Sequence, residues 1–211
     1  MNAVYNREME SMRFDLQVIA SWVEPGTTVL DLGCGNGDLL DYLKQHKQVR
    51  GTGIEFSEEK VARCIERGLT VLQGDFRKEV CDYQEGRFDV VVLSQTLQQI
   101  RDPKELLTDL LRIGKRVIVS FPNFGHWSSR LQLLFTGMAP VTDQLPYEWY
   151  NTPNIRVISI RDFKRFLRIS GVRTVREVAI NTHHHDYRGN MVRYFKNLRA
   201  TYGIMMLERV I

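Results

Sequence analysis

An α/β fold, with a mostly parallel sheet covered by helices on both faces, is what three observations predict for this chain of 211 residues. Short apolar runs rich in β-branched residues alternate with segments whose apolar residues recur at helical spacing. The first run, Thr27-Thr28-Val29-Leu30, leads into Asp31-Leu32-Gly33-Cys34-Gly35-Asn36-Gly37, a glycine-rich strand-to-helix turn. The length suits a single domain over residues 1–211 with a core large enough to sustain such a sheet.

The elements follow in order. Met9, Met12, Leu16, Ile19, Ala20 and Val23 recur near a 3.6-residue period, which predicts a helix over about 7–23, ended by Pro25-Gly26. Behind the glycine turn, Leu39, Leu40 and Leu43 fall on one helical face. Residues 49–55 read as strand two. Ser57-Glu58-Glu59-Lys60 reads as an N-cap with an acidic first turn, starting a helix to about residue 67. Residues 70–74 form strand three, and 87–93 form strand four from an unbroken apolar run. Asp102-Pro103 starts a helix with Leu106, Leu107, Leu110 and Leu111 on its core face, stopped at Gly114. Strand five is 116–120, a helix covers 161–170 and stops at Gly171, and 173–181 and 203–210 are the last strands.

Composition narrows the function classes. Hydrophobic content of 43% and charged content of 26% are those of a water-facing globular domain. No apolar run approaches a membrane span, and Arg7, Glu8, Glu10, Arg13 and Asp15 break any signal-peptide core. Cys34, Cys64 and Cys81 are odd in number and lack metal-ligand spacing, which fits a reducing cytoplasm. A net charge of +4 is too small to argue for nucleic acid. From Arg156 onward, however, twelve Lys/Arg face four Asp/Glu. Arg161, Lys164, Arg165 and Arg168 share one helical face there, a solvated surface first and a docking surface for an acidic partner second.

Two cofactor classes use a glycine-rich βα turn. Dinucleotide folds want G-x-G-x-x-G; counted from Gly33 and Gly35, the last position is Asp38, so an NAD-dependent oxidoreductase is disfavoured. Asp31, at the strand end, suits a cationic ligand better than a pyrophosphate. The stretch resembles motif I of the class I methyltransferases that bind S-adenosylmethionine (SAM), which makes Asp31, Gly33, Cys34, Gly35, Asn36 and Gly37 candidate cofactor residues. Glu55 lies about 20 residues past the glycines, where a carboxylate accepts hydrogen bonds from both ribose hydroxyls, and Phe56 follows with a ring for the adenine face. The resemblance implies that Asp75 takes the adenine amino group and that Phe76 covers the ring. Ser94 and Gln95 open a polar segment at the carboxyl edge of strand four, where open α/β sheets bind ligands.

The stretch 124–160 exceeds a minimal nucleotide-binding core. It carries Phe124, Trp127, Phe135, Tyr147, Trp149 and Tyr150, punctuated by Pro140, Pro146 and Pro153. An insertion of this length suits a substrate lid or a partner surface. His126 within it is a candidate general base, with packing or solvation as the plainer role. His183-His184-His185-Asp186 invites a metal, but adjacent side chains in extended chain point apart and no second cluster completes a site, so no metal is expected.

The order of elements resembles the class I methyltransferase fold, which implies a Rossmann-like three-layer sandwich with a mostly parallel seven-stranded sheet. A narrower resemblance rests on three stretches. The first runs from Arg13-Phe14-Asp15-Leu16 through the glycine turn, and the second is Leu93-Ser94-Gln95-Thr96-Leu97-Gln98. The third runs from Ser120-Phe121-Pro122-Asn123 through Leu145-Pro146-Tyr147-Glu148-Trp149-Tyr150-Asn151-Thr152-Pro153-Asn154-Ile155. Together they are similar to the MetW family of bacterial methionine biosynthesis. That resemblance implies binding of SAM or S-adenosylhomocysteine, association with homoserine O-acyltransferase as partner, and a regulatory role. The alternative it leaves open is a SAM-dependent methyltransferase acting on a small-molecule acceptor. Neither nucleic acid nor membrane is expected as a partner, and a homo-oligomer is left open.

Overall fold

The computed structural model describes residues 12–183 and 186–209. One eight-stranded sheet organises them, in the order β3-β2-β1-β4-β5-β8-β6-β7. Its strands are β1 (Thr28–Leu32), β2 (Arg50–Glu55), β3 (Val71–Gln73), β4 (Phe88–Ser94), β5 (Gly114–Pro122), β6 (Val172–Thr182), β7 (Gly189–Met191) and β8 (Tyr202–Arg209). The pairings from β3 through β5 are parallel. Those of β8 with β5 and β6, and of β6 with β7, are antiparallel. The expected α/β architecture stands, but the strand count of seven is corrected to eight. The extra strand is the three-residue run Gly189-Asn190-Met191, paired only at the sheet edge. Too short to show period-2 alternation, it carries no signal in sequence.

Successive side chains along a strand point to opposite faces. Val29, Val90, Val92, Ile118 and Ile204 therefore pack with the helices α1 (Phe14–Trp22) and α2 (Asp38–Lys47) and with Cys64 of α3 (Glu58–Glu66). Leu30, Val91, Leu93, Val117 and Leu207 pack on the other side. There they meet α5 (Pro103–Ile113) and α7 (Ile160–Ile169), after the short α4 (Phe76–Glu79) and before the short α8 (Lys196–Arg199). Each fully buried aliphatic side chain contributes roughly 1.5–3 kcal/mol, and these two clusters hold the three layers together. The N-terminal part of the expected first helix, with Met9, lies outside the described residues.

Local signals decide the helix ends. The Asp102 carboxylate accepts the N–H groups of Lys104 and Glu105, with Pro103 at the first helical position. Lys47 donates to the carbonyls of Ala20 and Val23 and so closes the C-terminus of α1.

The insertion after β5 contains a helix, α6 (Trp127–Thr136), and is closed at its base by one side chain. The Asn123 carbonyl Oδ1 accepts the N–H groups of Gly125 and Ile160, on either side of the insertion. Its amide donates to the carbonyls of Asn197 and Ala200. Asn123 is buried, and a Phe124 N–H to Ile158 carbonyl bond of 2.9 Å sits beside it.

Candidate cofactor site

The carboxyl ends of β1, β2, β4 and β5 meet at one edge of the sheet, and the glycine turn crosses that edge between β1 and α2. Gly33, Gly35 and Gly37 all have left-handed backbones, with φ of 73°, 60° and 80°, so the alternating spacing is a conformational requirement. Gly37 is also held by contact: a Cβ there would fall 2.4 Å from Leu69 Cδ1. Asp38, where a dinucleotide turn needs glycine, instead pairs with Arg67, which also donates to the Asn36 carbonyl and to Asp41. That clamp fixes the outer side of the turn.

Glu55 ends β2 directly below. Its two carboxylate oxygens accept the N–H groups of Gly35 and Ser57, each at 2.9 Å. Ser57 stands at the N-cap of α3 as expected, but its side chain makes no capping bond. Each Glu55 oxygen retains acceptor capacity beyond these bonds. Asp31, at the end of β1, is buried, and burial raises its carboxyl to about 7, opposed by the charge of Arg13 and reinforced by that of Glu55. Cys34 is buried behind the turn, where burial and then the charge of Asp31 raise its thiol, so it serves as a neutral wall rather than a nucleophile.

A polar hub joins the N-terminal helix to this edge. Asp15, buried on α1, accepts from Arg13, from Ser94 Oγ at 3.1 Å and from Gln95 Nε2 at 2.9 Å. Ser94 Oγ also lies 3.0 Å from Ser120 Oγ of β5. Gln95 has a left-handed backbone with φ of 52°, held by its N–H donating to Ser120. A non-glycine residue in this conformation is strained, and such strain gathers at functional edges.

Between the hub and the turn lies a cavity of about 350 Å³ lined by Arg13, Asp31, Gly33, Cys34, Gly35, Asn36 and Ser94 among others. Of the sequence candidates, those from Asp31 to Asn36 and Ser94 line it. Glu55 and Gln95 join it through hydrogen bonds to Gly35 and Asp15. Arg13, Asp15, Asp38 and Lys60 were not singled out as site residues; an acid flanked by Phe14 and Leu16 on a helix face was the available clue. With Arg13 and Asp31 on its walls, the cavity offers charge of both signs to a zwitterion. A second cleft of about 350 Å³ opens around Thr28, Lys44, Arg50 and Arg87, at the amino ends of β1, β2 and β4. It lies away from the turn.

The remaining candidates stand apart from this cavity. Asp75 is bound to Arg77, which holds its carboxyl below the usual carboxylate range. Phe76 packs against the core, whereas Phe56 is 79% exposed beside Glu55. His126 caps α6: its Nδ1 lies 2.7 Å from Ser128 Oγ and accepts the Ser128 N–H, and burial lowers the pKa of the ring. His183 Nδ1 lies 2.9 Å from Asp143, while His184 and His185 are outside the described residues. Among the described residues no three His, Cys, Asp or Glu side chains gather to hold a metal. Elemental analysis of untagged protein prepared without metal columns is expected to give no stoichiometric zinc or nickel. A stoichiometric metal lost on replacing His183–His185 would overturn that.

The sheet order and the turn define the class of protein as SAM-methyltransferase-like, with the class I α/β fold. A SAM-dependent methyltransferase structure from Thermotoga maritima superposes with a TM-score of 0.64 at 18% identity, covering 98% of this chain and 89% of that one. The chain belongs to the MetW family: the profile of "Methionine biosynthesis protein MetW" matches residues 13–207. The bifunctional methionine biosynthesis protein MetXA/MetW of Rhodopirellula baltica is 32% identical over 166 residues, 74% of this chain but 27% of that protein. The ubiquinone biosynthesis O-methyltransferase of Methylococcus capsulatus is 33% identical over 95 residues, 43% of this chain and 40% of the enzyme. The chain thus spans between about a quarter and two fifths of the length of these relatives. Among the described residues no helix is long and apolar enough to cross a membrane.

Proposed function

We propose that this chain binds SAM, or its demethylated product, at the glycine turn and acts with homoserine O-acyltransferase, adjusting that enzyme's output to methionine status. The observation that carries the reading is the relative in which a MetW part shares one polypeptide with MetXA. Fusion supplies a high effective concentration to partners that work together. The turn supports the cofactor: Glu55 has acceptor capacity left that would serve the ribose hydroxyls, and Asp31 and Arg13 on the cavity wall would hold the cationic groups and the carboxylate of the amino-acid tail. When bound, SAM carries a sulfonium-activated methyl group. In a regulator, the same residues instead read occupancy, and differing partner affinity for the loaded and empty states carries the signal.

The second reading is methyl transfer to a small acceptor, favoured by the strained Gln95 backbone and the Ser94 hydroxyl at the cavity edge. Methyl transfer needs alignment and water exclusion more than acid–base groups. Acyltransferase assays separate the two readings. The regulatory one expects purified chain to change the acyltransferase rate, with a further change on adding SAM. An unchanged rate with stoichiometric methylation of an acceptor would favour the second. Calorimetric titration with SAM, its demethylated product and NAD tests the cofactor itself, with heat expected from the first two only.

The pH dependence of that titration has a definite sign. In the empty site the Asp31 carboxyl titrates at about 7. A cationic ligand favours the ionised form, so binding releases a proton wherever Asp31 is protonated. Affinity is therefore expected to rise with pH, by at most about tenfold per unit, and to level off above the Asp31 value. Asp31→Asn should flatten this rise; an identical pH profile in a folded variant would remove Asp31 from the linkage.

A further inference from the structure

We infer that α6 is the docking helix of this chain, and that the acyltransferase covers it with an apolar groove bordered by acidic residues; this rests on the acyltransferase reading above. The ten residues of α6 bury one side chain, Ser129. Trp127, Leu131, Leu134 and Phe135 are all exposed, the last two at 73% and 79%. These residues recur at helical spacing, so α6 has an apolar stripe, but it faces water instead of holding the helix on the core. Trp149 and Tyr150, further along the same insertion, are exposed at 75% and 70% and stack edge to face. Exposed aromatic and aliphatic groups on one element mark a binding face.

Charge and position select the occupant. The one charged residue of α6, Arg130, donates to the Gly125 carbonyl, so its guanidinium is turned back onto the insertion. Asn197 receives the N–H of Arg161 and packs against Gly125, which brings the start of basic α7 beside the start of α6. Arg161, Arg165 and Arg168 are exposed on α7, whose start stands beside the start of α6, and an acidic rim on the partner would complement that basic helix. The insertion is tied at both ends to the cofactor edge. Asn123 follows β5, three residues beyond Ser120 of the hub, and the Gln98 carbonyl accepts the N–H groups of Ile155 and Arg156. A partner seated on α6 thus touches the element through which a change at Gln95 and Ser94 would pass. A second copy of the chain gains nothing from that connection.

The double variant Leu134→Glu/Phe135→Glu tests the assignment, because both side chains already face water and their replacement spares the fold. Trp149→Ala is made in parallel. Measured with purified acyltransferase, the double variant is expected to bind at least tenfold more weakly, with melting temperature and SAM affinity unchanged. Trp149→Ala should weaken binding to a smaller extent. Wild-type binding in the double variant would overturn the docking helix while leaving the acyltransferase reading intact. A wild-type dimer converted to monomer by the double variant, with acyltransferase binding unaffected, would assign the face to a second copy and also overturn it. If the unaltered chain does not bind the acyltransferase at all, the underlying reading fails and this inference with it.

Discussion

Asn123→Ala is expected to cost about 3–5 kcal/mol of folding stability and to lower the melting temperature by roughly 10 °C in a chain of this size. Four hydrogen bonds end on this buried amide, two accepted from Gly125 and Ile160 and two donated to Asn197 and Ala200. Removing the amide leaves two N–H groups and two carbonyls unmatched, each worth about 1–3 kcal/mol when buried. Water reaching the Gly125 side recovers part of the loss, hence a total below the full sum. The effect is not local, because Asn123 ties the two ends of the insertion to each other and to α8. A thermal or urea unfolding curve checks it, and a shift of under about 2 °C would mean that the insertion is closed by something else.

The second large effect is at the cofactor edge. Glu55→Ala is expected to weaken SAM binding by roughly 1–3 kcal/mol, about 5- to 150-fold. The carboxylate performs two tasks at once. It holds the turn by accepting from Gly35 and Ser57, and it is the proposed acceptor for the ribose hydroxyls. Calorimetry on a variant with a native circular dichroism spectrum separates this from unfolding. Unchanged affinity in that variant would take Glu55 out of the site.

Much of this was readable before any coordinates, for a physical reason in each case. Parallel strands buried on both faces must be apolar throughout, so the run at Val90-Val91-Val92-Leu93 announced β4. Three left-handed positions in five residues admit little but glycine, so the turn announced itself too. The place of Glu55 at the end of β2, beside the turn, followed from the fixed length of one βα unit. The edge strand β7 did not show, since three residues have no usable period. Nor did the Arg13–Asp15 hub: Asp15 meets Ser94 across 79 residues of chain, and local periodicity carries no information about such pairings. The insertion was visible as an excess of aromatics, but the helix α6 was not anticipated within it. Trp127, Leu131, Leu134 and Phe135 do recur at helical spacing, but the excess of aromatics and prolines around them reads as irregular insertion rather than as a helix.

The claim that joins fold, site and surface is that cofactor occupancy on this chain is communicated to an acyltransferase. Isothermal titration of purified homoserine O-acyltransferase with this chain, once empty and once saturated with SAM, tests it directly. The account predicts saturable binding in at least one state and dissociation constants that differ between the two. No binding heat in either state, or equal affinity in both, would contradict it.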